Sequence, residues 1–388
     1  MSAYLDHAAT TPLRPEVLEA MQPYLTEHFG NPSSIHGVGR RARLGLDEAR
    51  ETVARVLGAK PREIVFTAGG SEADNLAIKG AGWAASSRGR ELVTSRVEHK
   101  AVMQSAALME RFGFDLSWLE VDRYGRVDPA DVEAAIGEHT TLVSVMYANN
   151  EVGTVQPIAE IGAICRRYRV LFHVDAIQAA GFLPLDVDAL GADLLSLSAH
   201  KLYGPKGVGA LFVRQGTPLL AQQSGGSQER QRRAGTENVP GIVGFARALE
   251  LAQEERVAEG ERLAVLRDQL AAQMTAMPGV TLSGHPTERL PNSASFLVDG
   301  VEGGDLVAAL DLEGIAASTG SACTTGSAEP SHVLLAMGVD PEAAHGSLRL
   351  TLGRGNTDED VRLTVEAMRR VLARMRGARE RRPEAASV

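Results

Sequence analysis

From about residue 60 the chain alternates short apolar runs with longer segments whose apolar positions recur at helical spacing. Residues 63–67 read as a strand, and Gly69-Gly70-Ser71 leads into a helix over 72–85, with Ser71 and Asp74 placed as a capping box. The same alternation predicts a strand over 91–95, a helix over 100–111, a short strand over 115–119 and a helix over 129–136. It then sharpens: strand 141–147, helix 158–168, strand 170–174, and two further strands over 193–197 and 208–213. Runs such as Leu142-Val143-Ser144-Val145-Met146 are apolar on both faces, as a sheet covered by helices on both sides requires. This rhythm predicts an α/β domain with a largely parallel sheet.

Beyond it the pattern changes. Residues 222–240 are polar, glycine-containing and arginine-rich, and read as a long loop. A long, somewhat interrupted helix over 242–274 leads out of the first domain. Strands at 293–298, 315–318 and 348–352, a helix at 305–312 and a last helix over 358–375 form a second, smaller α+β unit. The resulting division is a large domain over 15–255, a small domain from 1–14 with 256–375, and a frayed charged tail over 376–388.

Composition narrows the function classes. The 388 residues suit about two or three domains. A net charge of −9 argues against nucleic acid or an anionic membrane as the main partner. No run reaches the roughly 18 apolar residues of a membrane span, and the first ten residues lack a secretory signal, so the expected location is the cytoplasm. Two cysteines, Cys165 and Cys323, cannot form a disulfide framework or a four-cysteine metal site, and the histidines show no metal spacing.

In open parallel sheets ligands bind beyond the carboxyl ends of the strands, and three such ends carry unusual chemistry here. Ala68-Gly69-Gly70-Ser71 is either an ordinary glycine turn or a phosphate cradle. Asp175 is either a helix N-cap or a carboxylate holding a heterocyclic nitrogen protonated, with Gln178 three residues on. Lys201, after Ser198 and His200, is a surface charge, a phosphate contact or a Schiff-base amine. A phosphate cradle, a ring-nitrogen acid and an amine together suit pyridoxal phosphate.

Several blocks then identify a family. They include Tyr4-Leu5-Asp6-His7-Ala8-Ala9-Thr10-Thr11, Phe29-Gly30-Asn31-Pro32-Ser33-Ser34, Ser71-Glu72-Ala73-Asp74-Asn75, Glu98-His99-Lys100-Ala101-Val102 and Asn149-Asn150-Glu151-Val152-Gly153. To these add Val174-Asp175-Ala176-Ile177-Gln178, the run from Ala199 to Gly207, Arg233-Ala234-Gly235-Thr236-Glu237-Asn238 and Ser318-Thr319-Gly320-Ser321-Ala322-Cys323. From Tyr4 to about Leu372 the chain resembles the cysteine desulfurases, in the aminotransferase class V group of fold-type I pyridoxal-phosphate enzymes.

The resemblance implies conversion of L-cysteine to L-alanine with sulfur held as a persulfide on Cys323. It implies Lys201 as the Schiff-base lysine, His99 stacked on the ring with a role in proton handling, Asp175 at the ring nitrogen and Gln178 at the ring hydroxyl. Gly70, Ser71, Ser198 and His200 match phosphate contacts, and Thr236 matches one made across a homodimer interface. Asn31, Asn150 and Arg349 match the substrate side, Arg349 pairing with the carboxylate; Asn150 also borders the cofactor. The implied acceptors are an iron–sulfur scaffold or a sulfur carrier for tRNA thiolation, and Cys323 could transiently ligate a cluster on such a partner. The chain departs from common patterns at Gly69-Gly70-Ser71 and Ala199, and Cys323, seven residues before Pro330, matches the branch with a long catalytic loop. Cys165, in an apolar helical run, reads as packing. Rival readings are a transaminase or selenocysteine lyase of the same fold, and a non-catalytic scaffold that keeps it.

Overall fold

The computed structural model describes residues 3–320 and 330–380. Cys323 lies outside them, as does the end of the tail. After a two-residue strand β1 (Ala3–Tyr4), seven strands follow: β2 (Ile64–Thr67), β3 (Glu91–Ser95), β4 (Asp115–Leu119), β5 (Thr140–Met146), β6 (Leu171–Asp175), β7 (Leu194–Ser198) and β8 (Gly209–Val213). They form one sheet in the order β2-β8-β7-β6-β5-β3-β4. Only β8 runs against the others, pairing antiparallel with both β2 and β7. The mostly parallel sheet expected from the sequence is therefore present, and the carboxyl ends of β2, β3, β5, β6 and β7 share one edge.

All seven residues of β5 are buried, because apolar clusters cover both faces of the sheet. One cluster includes Val143, Val145, Phe172, Leu195 and Phe212; the other includes Leu142, Leu171, Leu194 and Leu211 from the alternate positions. Cys165 lies in the first cluster, as its apolar setting predicts.

A smaller antiparallel sheet has the order β12-β10-β9, from β9 (Val280–Ser283), β10 (Ser293–Val298) and β12 (Ser347–Thr351). β11 (Ile315–Ala316) pairs in parallel with β1, so the N-terminus packs with the C-terminal third of the chain. The helix Val239–Thr275 is continuous over 37 residues, about 55 Å at 1.5 Å per residue. Ile242, Phe245 and Leu249 sit in the large core; Leu263, Leu266, Leu270 and Met274 sit in the small one. This single rod fixes the small sheet relative to the large one.

Several expectations are corrected. The long helix carries no interruption, and the C-terminal helix continues from Asp358 to Glu380. The Ser71–Asp74 capping box does not form, because Gly69 takes the N-cap place and Ser71 lies inside the first turn of helix Gly70–Asn75. The backbone there continues as a π-helical segment, Leu76–Ala81, before Gly82–Ala85. The sequence reading left out the helices Pro15–Thr26 and Gly37–Leu57 and strand β9. Gly37–Leu57 did carry signals: a His36 cap accepting from the Gly39 amide, a left-handed Gly58 after its end, and buried Ala42, Leu46, Ala49, Val53 and Leu57 along one face. The segment expected as a strand to Ser318 pairs only at Ile315–Ala316, with an isolated bridge from Ser318 to Arg349.

Candidate active site

A cavity of about 770 Å³ opens at the shared edge of strand ends. Gly70, Ser71, His99, Asn150, Asp175, Gln178, Ser198, His200, Lys201 and Arg349, all expected from the sequence, line it. Asn31 and Thr236 are exposed and stand outside its wall.

The turn after β2 forms one side. Gly69 has φ 152°, a conformation L side chains rarely adopt. At Gly70 a Cβ would come within 2.2 Å of Ile177 Cδ1, so a larger residue there would make the Ile177 side chain shift. The Ala68 amide donates to Glu72 Oε2 at 2.7 Å, which fixes the entry to the turn.

β6 ends on Asp175, whose Oδ1 accepts from the Ile177 amide at 3.0 Å. The following residues form turns and not a helix, which removes the N-cap alternative and places Gln178 in a turn. Burial raises the Asp175 carboxyl to about 6, opposed by the Ile177 hydrogen bond and the Lys201 charge, so it is mostly ionised at neutral pH. Behind it, burial pushes Asp74 upward and His173 down to about 3. Burial disfavours the charged form of both groups, which approach to 3.7 Å.

At the end of β7, Lys201 follows Ser198 and His200 in a short 3-10 turn. Its Nζ donates to the carbonyl of Ala9 at 2.8 Å and to that of Ala8. A lysine half-buried in a cavity wall is not the surface charge that the bland reading supposed. His200 Nδ1 lies 3.2 Å from Thr10 Oγ1, and burial with the nearby Lys201 charge lowers its pKa to about 4. Gln178 Nε2 also bonds the Ala8 carbonyl, at 2.9 Å.

His99 begins the helix Lys100–Glu110, its Nδ1 accepting from the Ala101 amide at 3.1 Å. Burial, with Lys201, His332 and Lys100 nearby, lowers its pKa to about 4. The ring is neutral at physiological pH, and since Nδ1 accepts, the proton sits on Nε2. Arg349 arrives from β12 of the other sheet. Its Nη1 donates to the Asn150 carbonyl at 3.0 Å and its Nη2 to Asp6 Oδ1 at 2.8 Å. Its buried Nε has no partner among the described residues.

Four contributors are not marked by the sequence. Ala8 and Ala9 act through carbonyls, which no side-chain pattern reveals. Asp6 stands in a quoted block, yet nothing in the sequence marks it as the partner of a residue 343 positions away. Glu98 is wholly buried beside His99, bonded to Ser95 Oγ at 2.6 Å and to the Met146 amide at 2.9 Å.

The residues fit pyridoxal phosphate. A glycine turn at a helix start, an amine, a buried carboxylate and an arginine border one cavity, a donor set that suits a phosphate, a pyridine ring and a substrate carboxylate. Among the described residues no group of three histidine, cysteine or carboxylate side chains could hold a metal ion.

Fold and site together define a class, the fold-type I pyridoxal-phosphate enzymes, and a model of the aminotransferase class-V family matches residues 3–363. A cysteine desulfurase IscS of Dictyoglomus turgidum is 51% identical over 374 residues, covering 96% of this chain and 95% of that protein. One from Methanosarcina thermophila is 49% identical, covering 97% and 93%. A solved NifS-like protein superposes with a TM-score of 0.91 at 39% identity, covering 96% of this chain and all of that one. The chain belongs to the cysteine desulfurases of the aminotransferase class-V family.

Proposed function

We propose that this enzyme converts L-cysteine to L-alanine, moving the sulfur first onto Cys323 and then to an acceptor protein serving iron–sulfur assembly or tRNA thiolation. The observation that carries the reading is the convergence of Lys201, Asp175 and Arg349 on one cavity from three distant parts of the chain. Pyridoxal phosphate, when bound, supplies an electron sink for charge developing at the substrate α-carbon. Gly70, Ser71, Ser198 and His200 would hold its phosphate, Asp175 would keep its ring nitrogen protonated, Gln178 would meet its hydroxyl and His99 would pack against its ring. Lys201 would hold the group through its amine and, with that amine free, would move the α-proton of the substrate. Arg349 would grip the substrate carboxylate, with Asn150 beside it; Asn31, outside the cavity wall of its own chain, could join the substrate side only at a neighbouring copy.

The sulfur step balances without an external oxidant. The Cys323 thiolate attacks the substrate sulfur, an S–S bond forms and the C–S bond breaks. The bond pair left on the β-carbon takes a proton and becomes the methyl group of alanine. The active unit is a homodimer in which Thr236 reaches the partner's phosphate site, since it stands outside the cavity of its own chain. No helix among the described residues is long and apolar enough to cross a membrane, and we place the enzyme in the cytoplasm.

The test is incubation of the purified, cofactor-loaded protein with L-cysteine and a reductant. Alanine and sulfide in equal amounts are expected, and without reductant an added sulfur on the peptide containing Cys323. A keto acid in place of alanine would make the protein a transaminase.

A further inference from the structure

The loop before the long helix has a backbone that needs an explanation. Glu229, Arg230 and Gln231 have φ of 46°, 56° and 65° in succession, and none is glycine. L residues enter this region at a cost, and three in a row persist only where the surroundings over-determine them. Here they do. Glu229 receives both guanidinium arms of Arg50, at 2.7 and 2.6 Å, with the two side chains 2% and 5% exposed. Arg50 also donates to the Ile64 carbonyl at 2.8 Å, and the Phe66 amide donates to Glu229 Oε2 at 3.0 Å. Four residues on, Arg233 Nε donates to Glu72 Oε1 at 2.9 Å, the carboxylate that also receives the Ala68 amide. The loop is thus bolted at two points to β2 and the turn that follows it.

Stability does not account for this device. A buried ion pair contributes little net free energy against its desolvation, and the left-handed run costs more still. What the bolts do is hold one conformation of the segment that follows, where Gly235 and Thr236 are exposed and reach nothing in their own cavity. An ordered, exposed, polar segment of this kind suits a site completed by a second copy related by a two-fold axis.

We infer that Arg50 and Glu229 are positioning residues that hold residues 233–238 so that Thr236 meets the phosphate cradle of a second copy. This rests on the reading of Thr236 as a contact made across the dimer.

Heterodimers built from differently tagged subunits test it. In the first arrangement one subunit carries Lys201→Ala together with Glu229→Gln and its partner is unaltered, so the one competent site is served by the altered loop. In the second, Glu229→Gln sits in the subunit with the competent Lys201, and its Lys201→Ala partner supplies an unaltered loop. Pyridoxal phosphate binding at the competent site is read by equilibrium dialysis and visible absorbance. We expect weakening of about tenfold or more in the first arrangement, the scale of a lost charge-assisted hydrogen bond, and a change within about twofold in the second. No weakening in the first, or equal weakening in both, overturns the inference. Thr236→Ala in the first arrangement separates the two ideas: if it leaves binding unchanged, the cross-subunit reading itself fails. Because one uncompensated buried charge can unfold the chain, Arg50→Met with Glu229→Leu is the second variant. It removes both charges together, at the cost of the bonds to the Ile64 carbonyl and Phe66 amide, and should stay folded and still weaken the partner's site; cofactor binding at the wild-type level in this folded variant would show the pair to be structural only.

Discussion

Arg349 gives one guanidinium arm to Asp6 at 2.8 Å while its buried Nε meets no acceptor. The Asp6 carboxylate and the Asn150 carbonyl orient the guanidinium at the cavity wall, where a planar fork can pair with a substrate carboxylate. Arg349→Lys keeps the charge and loses the planar fork. The KM for cysteine should rise by about tenfold to a hundredfold, matching the loss of a hydrogen bond between charged groups, with the absorbance of the bound cofactor unchanged. An unaltered KM in steady-state titration would show that Arg349 does not face substrate.

Lys201→Ala should fold normally and lose the covalent link to the cofactor. The lysine stands at a strand end and bonds two backbone carbonyls, so its removal opens no cavity in the apolar core. Borohydride should fix cofactor to wild-type protein on the peptide containing Lys201 and fail to do so in the variant. Label on Lys206, which lines the same cavity, would reassign the role.

Cys323→Ala should abolish sulfur transfer while leaving cysteine able to bind and shift the cofactor spectrum. Cys165 cannot replace it: the side chain is 1% exposed, and burial pushes its thiol up to about 12, so it carries almost no thiolate. Sulfur found on Cys165 by mass spectrometry, or turnover persisting in the variant, would overturn the assignment.

Glu98 makes a prediction about pH. Burial lifts its carboxyl from 4.5 to about 8, against the opposing bonds from Ser95 and Met146. The folded state therefore favours the neutral acid. Its contribution to stability is complete below 4.5 and is lost as pH rises through about 8. Glu98→Gln keeps the shape and does not titrate. The melting temperature of the wild type relative to this variant should fall steadily between about pH 5 and about pH 9, as linkage requires. A flat difference across that range would show that the carboxyl is not held neutral by the fold.

Strands β3, β5, β6, β7 and β8 were legible because each is a short run of mostly apolar residues, nearly all buried, set between polar or glycine-bearing segments. The site was legible at Gly70, Asp175 and Lys201 because polar or glycine residues follow such runs directly. The helix Gly37–Leu57 is periodic but polar overall: its buried stripe is built largely of alanine and glycine among charged residues, so it does not stand out as an apolar run. The Ser71 cap was misplaced because Gly69 can take an N-cap conformation closed to serine.

The sequence alone determined the alternation of strands and helices, the residues at the strand ends and, through its motifs, the chemistry they suit. These are local properties: a propensity, a period or a side chain acts wherever it stands in the chain. Tertiary structure alone decided that β8 enters the sheet antiparallel beside β7 with β2 beyond it, and that Arg349 crosses from another sheet to meet Asp6. It alone placed the Ala8 and Ala9 carbonyls on Lys201 and forced Glu229, Arg230 and Gln231 into left-handed backbone. Each of these depends on contacts between residues far apart in the chain or on backbone groups common to every residue, and packing, not side-chain identity, brings them together.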